Sequence, residues 1–333
     1  MKLIRVNYYI AILGLFILPL SLLTGCSKKT NYNLIKADVI LLDISSGLNA
    51  AGTFNEEDHS VTSLSSRAKQ FREKLLISLE QRHAVYFGFV RKTYGQQQIE
   101  TIISPKLIQL IDEILNSDVK DPKLREESNL GILLAWRKAI MEDPSLAQKD
   151  ECSTVLSSII NYNSNGSISD LHSGRIASSL CANAQFANEQ LNGLINTPDN
   201  IGSEIQAAII RSLEKLSSDS RRLYNPDGSP ITLIPNVILV SDLIQITDGV
   251  YILETLNSDK DPEASCKRAQ TETANTDINF PRMSLISDGF ASTKGNINTE
   301  KRDKLKKYWE CWLEGRGFTD IDLGTRGINL AEV

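Results

Sequence analysis

The chain has 333 residues, with 41 acidic against 36 basic side chains and a net charge of −5. That acidic balance, without any basic stretch, excludes the electrostatic footprint of a nucleic-acid binder. No Walker A sequence and no dinucleotide glycine fingerprint offers a nucleotide its phosphate cradle, and the length suits one large α/β domain with an insertion, or two small domains.

Lys2 and Arg5 give the chain a positive start, and Tyr8 to Leu23 is almost wholly apolar. This run is as long as a signal-peptide core and shorter than the ~20 residues of a spanning helix. It ends in Leu23-Thr24-Gly25-Cys26. An aliphatic residue, two small residues and a cysteine in that order resemble the bacterial lipobox. The resemblance implies that residues 1–25 are a cleaved signal peptide and that Cys26 carries diacylglycerol and palmitate. The lipid bilayer is then a partner, and acyl chains hold it by ~0.8 kcal/mol per buried CH₂. Ser27, rather than Asp, after the cysteine implies the outer membrane of the cell envelope if the host is Gram-negative. The polar residues 26–34 then serve as anchor and tether.

Ala37-Asp38-Val39-Ile40-Leu41-Leu42-Asp43 is a near-continuous apolar run ending in a carboxylate, which predicts a central strand covered on both faces. Residues 44–60 are rich in Ser, Gly, Asn and Asp and predict a loop. Leu64, Ala68, Phe71, Leu75 and Leu79 then repeat at helical spacing. Ala84 to Val90 predicts a second strand, and Gln98 to Ile103 a third, joined through Thr93-Tyr94-Gly95. Ser104-Pro105 opens a helix with Pro at its first position, whose apolar face is Leu107, Ile108, Ile111, Ile114 and Leu115.

Residues 117–195 are helical and polar, without a clear strand, and predict a helical insertion. Residues 201–216 predict a helix with Ile205, Ala208, Ile209, Leu213 and Leu216 on one face. Asn225-Pro226-Asp227-Gly228 is a turn. Asn236 to Asp242 is a second buried-strand signature, again ending in Asp; Met283 to Ile286 is another strand candidate. A last helix carries Leu305, Tyr308, Trp309 and Trp312 as a core stripe. Strands alternating with helices predict an α/β fold, a doubly wound, mainly parallel sheet with an inserted helical segment.

Four cysteines follow Cys26: Cys152, Cys181, Cys266 and Cys311. An even count in an oxidising compartment points to disulfides, with three connectivities open. The local pairing, Cys152–Cys181 and Cys266–Cys311, is favoured because each pair lies within one segment. No CxxC spacing supports zinc. His59, His83 and His172 are far apart in sequence and read as surface or satisfied histidines rather than ligands.

Sites in open α/β sheets form at the carboxyl ends of strands. Asp43 and Asp242 both stand there and converge if their strands are neighbours. Ser45, Ser46 and Ser241 lie close by in sequence. Carboxylates and hydroxyls with room for water suit Mg²⁺. Asp43-Ile44-Ser45-Ser46-Gly47 after a strand resembles the Asp-x-Ser-x-Ser loop of the von Willebrand factor A (vWA) domain. Ile201-Gly202-Ser203-Glu204-Ile205 is similar to the Gly-Thr-Asp segment that supplies that family's threonine ligand, and Val237 to Asp242 to its later strand ending in aspartate. Trp309 resembles the tryptophan of the final helix in some bacterial vWA-like lipoproteins. The resemblance covers roughly residues 36–103 and 201–320. It divides the chain into a vWA-like first part (35–116), the helical insertion (117–195) and a second part (196–325).

What the resemblance implies is a metal-ion-dependent adhesion site. Asp43, Ser45, Ser203 and Asp242 would hold Mg²⁺, and an open position would take a carboxylate from a protein partner. Two departures stand out: Gly47 replaces the family's second serine, and Ser203 replaces threonine. Without metal, Asp43 and Asp242 are Asx-turn caps, and Ser203 with Gln206 has capping-box spacing. The function expected is a membrane-anchored protein–protein interaction module. The alternatives are a degenerate scaffold that binds through the helical segment, and a hydrolase using Ser45 or a metal-activated water. No G-x-S-x-G elbow or HExxH supports the hydrolase, and Glu56-Glu57-Asp58 reads as a solvated charge run.

Overall fold

In the strand predicted from Ala37 onward, every residue from Ala37 to Asp43 is buried, and so is every residue from Ala84 to Val90 in the next strand. Strands buried on both faces belong in the middle of a layered α/β sheet. The computed structural model of the chain describes residues 34–43, 64–90, 98–117, 119–196, 204–225, 227–241, 243–244, 252, 261–272, 278–287, 299–324, 329–330 and 332–333. In chain order the elements are β1 (Leu34–Asp43), α1 (Leu64–Glu80), β2 (Ala84–Val90), β3 (Ile99–Ile103), α2 (Pro105–Ser117), α3 (Pro122–Arg137) and α4 (Cys152–Asn163). They continue with α5 (Asp170–Asn196), α6 (Ile205–Ser220), β4 (Thr232–Val240), α7 (Pro262–Glu272), β5 (Ser284–Ser287), α8 (Thr299–Glu314) and β6 (Asp320–Leu323).

The six strands form one sheet in the order β3-β2-β1-β4-β5-β6. Only β3 is antiparallel to its neighbour; the other four pairings are parallel. The architecture is a Rossmann-like α/β fold, and the chain's direction of travel across the sheet reverses between β1 and β4.

Each face of the sheet has its own core. On one face Ile40, Leu42, Val85, Phe87, Ile238 and Val240 pack with α1 to α5. On the other, Val39, Leu41, Tyr86, Val237 and Leu239 pack with α6, α7 and α8. The predicted helical faces go inside: Phe71, Leu75 and Leu79 of α1, Ile108 and Ile111 of α2, and Ile205, Ile209 and Leu213 of α6 are buried. So are Tyr308, Trp309 and Trp312 of α8, with Tyr308–Trp309 and Trp309–Trp312 ring contacts edge to face.

The polar segment after α2 resolves into α3, a π-helical turn (Lys138–Glu142), a 3₁₀ turn (Pro144–Gln148), α4 and α5. Ile132, Trp136, Leu156, Ile160, Ile176 and Leu180 join the core with α1 and α2, while Leu130, Tyr162 and Leu171 stay exposed. Trp136 Nε1 donates to the carbonyl of Leu75, 3.2 Å away. Gly131 lets α3 close on α4, since a Cβ there would stand 3.0 Å from the Ile160 carbonyl oxygen. Cys152–Cys181 ties α4 to α5, and Cys266–Cys311 ties α7 to α8, the local pairing of the three.

Several boundaries differ from the sequence reading. β4 begins at Thr232 rather than Asn236, because it pairs with β1 from Leu34–Thr232 onward. Pro235 interrupts the apolar signal there. It stands one residue before the β4–β5 ladder begins at Asn236, the kind of half-paired position at which a strand tolerates proline. α6 runs from Ile205 to Ser220, later than the predicted 201–216. α2 starts as predicted: Pro105 takes the first position and Ser104 Oγ accepts the amide hydrogen of Leu107 at 3.1 Å. Replacing Ser104 with Ala removes that acceptor and costs about 1 kcal/mol. Urea denaturation should show a lower midpoint at an unchanged m value.

Candidate functional site at the carboxyl ends of the central strands

β1 and β4 are parallel neighbours, with Leu42 opposite Val240. Asp43 and Ser241, the next residues along, therefore stand side by side at the carboxyl end of the sheet. Ser241 Oγ donates to Asp43 Oδ2 at 2.8 Å, and both residues are buried. Ser241 Oγ in turn accepts the amide hydrogen of Leu243 at 3.1 Å. Leu243 has a left-handed backbone, φ 60°, which is unfavourable for a branched side chain without local support. The support is visible: its side chain is fully buried and its carbonyl accepts from Trp309 Nε1 at 2.9 Å. The chain Asp43–Ser241–Leu243–Trp309 thus links the end of the sheet to α8.

The start of α6 lies at this same end. Its last turn is at the other end of the sheet, where Tyr86, near the start of β2, donates through Oη to Asp219 Oδ2 at 3.1 Å. Burial and the Asp219 charge push the Tyr86 hydroxyl well above its ordinary value. Glu204 is the N-cap residue of α6, without a side-chain capping bond, and Gln206 Nε2 donates to Tyr308 Oη at 2.9 Å. This bond joins α6 to α8.

Of the residues expected to hold metal, Asp43 is described and sits where the sequence placed it. Ser45, Ser203 and Asp242 lie outside the described residues, as do Ser46, Gly47 and Cys26. Among the described residues no three His, Cys, Asp or Glu side chains come together as a metal site. The chemistry of Asp43, a buried carboxylate oriented by a hydroxyl, fits a hard cation that takes oxygen ligands. Also among the described residues, no helix is long and apolar enough to cross a membrane.

A second polar cluster lies deeper in the sheet. Asp38 is 1% exposed and sits on the α1 face of β1. Lys74 of α1, itself 1% exposed, places Nζ 3.0 Å from Asp38 Oδ2. Ser78 Oγ donates to the same oxygen at 3.0 Å, and His83 Nδ1 lies 3.0 Å from it. Asn236 Nδ2 donates to Oδ1 at 2.9 Å, and Ser284 Oγ donates to Asn236 Oδ1 at 2.9 Å. Burial pushes the Asp38 carboxyl up. The His83 hydrogen bond, the charges of Lys74 and His83, and the Asn236 hydrogen bond outweigh it and bring it down to about 2. His83 is thus engaged with a carboxylate, His172 is half-buried on α5, and His59 lies outside the described residues.

The sequence reading missed this cluster. Its signals were Asp38 inside an apolar strand run, and Lys74 on the stripe that carries Phe71 and Leu75. No protein-family model, curated protein or solved structure matches the chain.

Proposed function

We propose that this chain is a membrane-anchored, vWA-like lipoprotein that binds a protein partner at the carboxyl ends of β1 and β4. In this reading Cys26 carries the lipid, and the site is a metal-ion-dependent adhesion site. Asp43, Ser45, Ser203 and Asp242 would hold Mg²⁺, which supplies an open coordination position for a partner's carboxylate. The helical segment 117–195 is an insertion between the two parts of the domain.

One observation carries the reading: Asp43 ends the central strand at the point where the strand order reverses. In open α/β sheets ligands bind in the crevice outside the carboxyl ends at that point. The reversal lies between β1 and β4, and Ser241 Oγ orients the Asp43 carboxylate there. The chain's own residues do the positioning. Trp309 and Ser241 both bond to Leu243 after β4, and α6 begins at the same end of the sheet.

Titration calorimetry with Mg²⁺ and Mn²⁺ on residues 27–333, which include every described residue, tests this. Wild type should bind one ion at micromolar to millimolar strength, and Asp43→Ala and Asp242→Ala should each abolish binding. Wild-type protein that takes up no ion at millimolar metal overturns the metal-dependent reading. The helical segment then becomes the surface to test for partner binding.

A further inference from the structure

Lys74 has a second partner besides Asp38. Its Nζ donates to the main-chain oxygen of Val333 at 2.8 Å. Four residues earlier on α1, Gln70 Oε1 accepts the amide hydrogen of Leu330 at 3.3 Å. Leu330 is fully buried and belongs to the same core as Ile238 and Val240, with Val333 packed against it. The segment is folded into a turn: Glu332 N–H donates to the Asn329 carbonyl at 2.9 Å, and Asn329 Nδ2 donates to Glu332 Oε1 at 2.8 Å. That turn aims the leucine inward and the Val333 oxygen at Lys74.

We propose that Asn329–Val333 is a detachable strap, docked in cis on a peptide seat of α1. The seat takes a short stretch of main chain carrying one large aliphatic side chain. It has three parts: an acceptor for an amide hydrogen (Gln70), a buried cation for a main-chain oxygen three residues on (Lys74), and an apolar hole filled by Leu330. One buried leucine and two hydrogen bonds, set against the ordering of a short segment, come close to balance. The strap therefore opens far more readily than the sheet beneath it. When it leaves, the buried Lys74 ammonium keeps Asp38 but loses its other acceptor, and the hole stands empty. Both are unfavourable, so the seat favours refilling, by the strap or by a partner's peptide of the same chemistry.

The test uses residues 27–333 as wild type, Leu330→Asp and Leu330→Ala, with two readouts. Hydrogen exchange should show the amides of 329–333 exchanging at least tenfold faster in Leu330→Asp, while β1 and β4 stay as slow as in wild type. A fluorescent peptide of residues 325–333 should bind Leu330→Asp at least tenfold more tightly than wild type, whose seat is filled. Strap amides that stay equally slow in Leu330→Asp overturn the proposal, as does a peptide that binds both proteins equally or neither. If the aspartate also loosens β1 and β4, Leu330→Ala is judged by the same two criteria.

Discussion

Asp38→Ala should lower the free energy of unfolding by about 3–5 kcal/mol, the cost of removing one partner from a buried ion pair. The substitution leaves the Lys74 ammonium inside the core, 1% exposed, still bonded to the Val333 oxygen but without its carboxylate. It also strips Ser78 and Asn236 of an acceptor. Urea unfolding measures the loss. A drop under 1 kcal/mol would mean that the cluster relaxes to water and does not organise the centre of the sheet. The double variant Asp38→Leu/Lys74→Met should recover part of the loss, because a matched apolar pair removes both desolvated charges. The same carboxylate sets an acid limit. Its folded value, about 2, lies below the ordinary 3.8. Its stabilisation is therefore complete above pH 4 and is lost as pH falls through about 2, some ~2 kcal/mol in all. Acid unfolding of Asp38→Ala should lack that component.

Opening either disulfide should cost nearly as much. The Cys152–Cys181 bridge closes a loop with a sequence separation of 29, and Cys266–Cys311 one of 45. Loop-closure entropy assigns about 3–4 kcal/mol to each, slightly more to the longer loop. Cys266→Ala/Cys311→Ala and Cys152→Ala/Cys181→Ala should thus lower the thermal midpoint by several degrees each. Their effects should add, because the two bridges stand in separate cores on opposite faces of the sheet. A Cys266–Cys311 variant as stable as wild type would show that the α7–α8 contact holds without the covalent link.

The sequence made the interior of this fold legible and its periphery much less so. β1, β2 and β4 announce themselves because strands covered on both faces need apolar residues at nearly every position. The faces of α1, α2, α6 and α8 follow from helical spacing in the same way. β6, Asp-Ile-Asp-Leu at the sheet edge, escaped because it is four residues long with alternate positions charged. α7 escaped because a helix with so polar a sequence carries little periodic signal; Cys266 and Ala269 are its deeply buried apolar residues. The segment after α2 read as polar because its solvent face dominates its composition, while Trp136, Leu156 and Leu180 reach the shared core. At the candidate site, Asp43 was legible as a carboxylate at a strand end. Its bond to Ser241 was not, since 198 residues separate the two and only the β1–β4 pairing brings them together. The Asp38–Lys74 pair was hidden for a different reason. Hydrophobic periodicity tolerates one charge in an apolar run and says nothing about where its counter-charge lies.

The position of β1 also decides how the molecule answers a pull. The strand is ten residues long, about 33 Å at the usual rise. It is laced to β2 from Ala37 to Asp43 and to β4 from Leu34 to Leu42, parallel on both sides. Tension applied ahead of Leu34 and resisted at the carboxyl ends of β2 and β4 runs along the strand axis, across the direction of both ladders. Their hydrogen bonds are then loaded together in shear instead of being peeled one after another. Rupture requires many bonds to fail at once, so the domain is mechanically stiff along the one line that joins its entry strand to its candidate binding end.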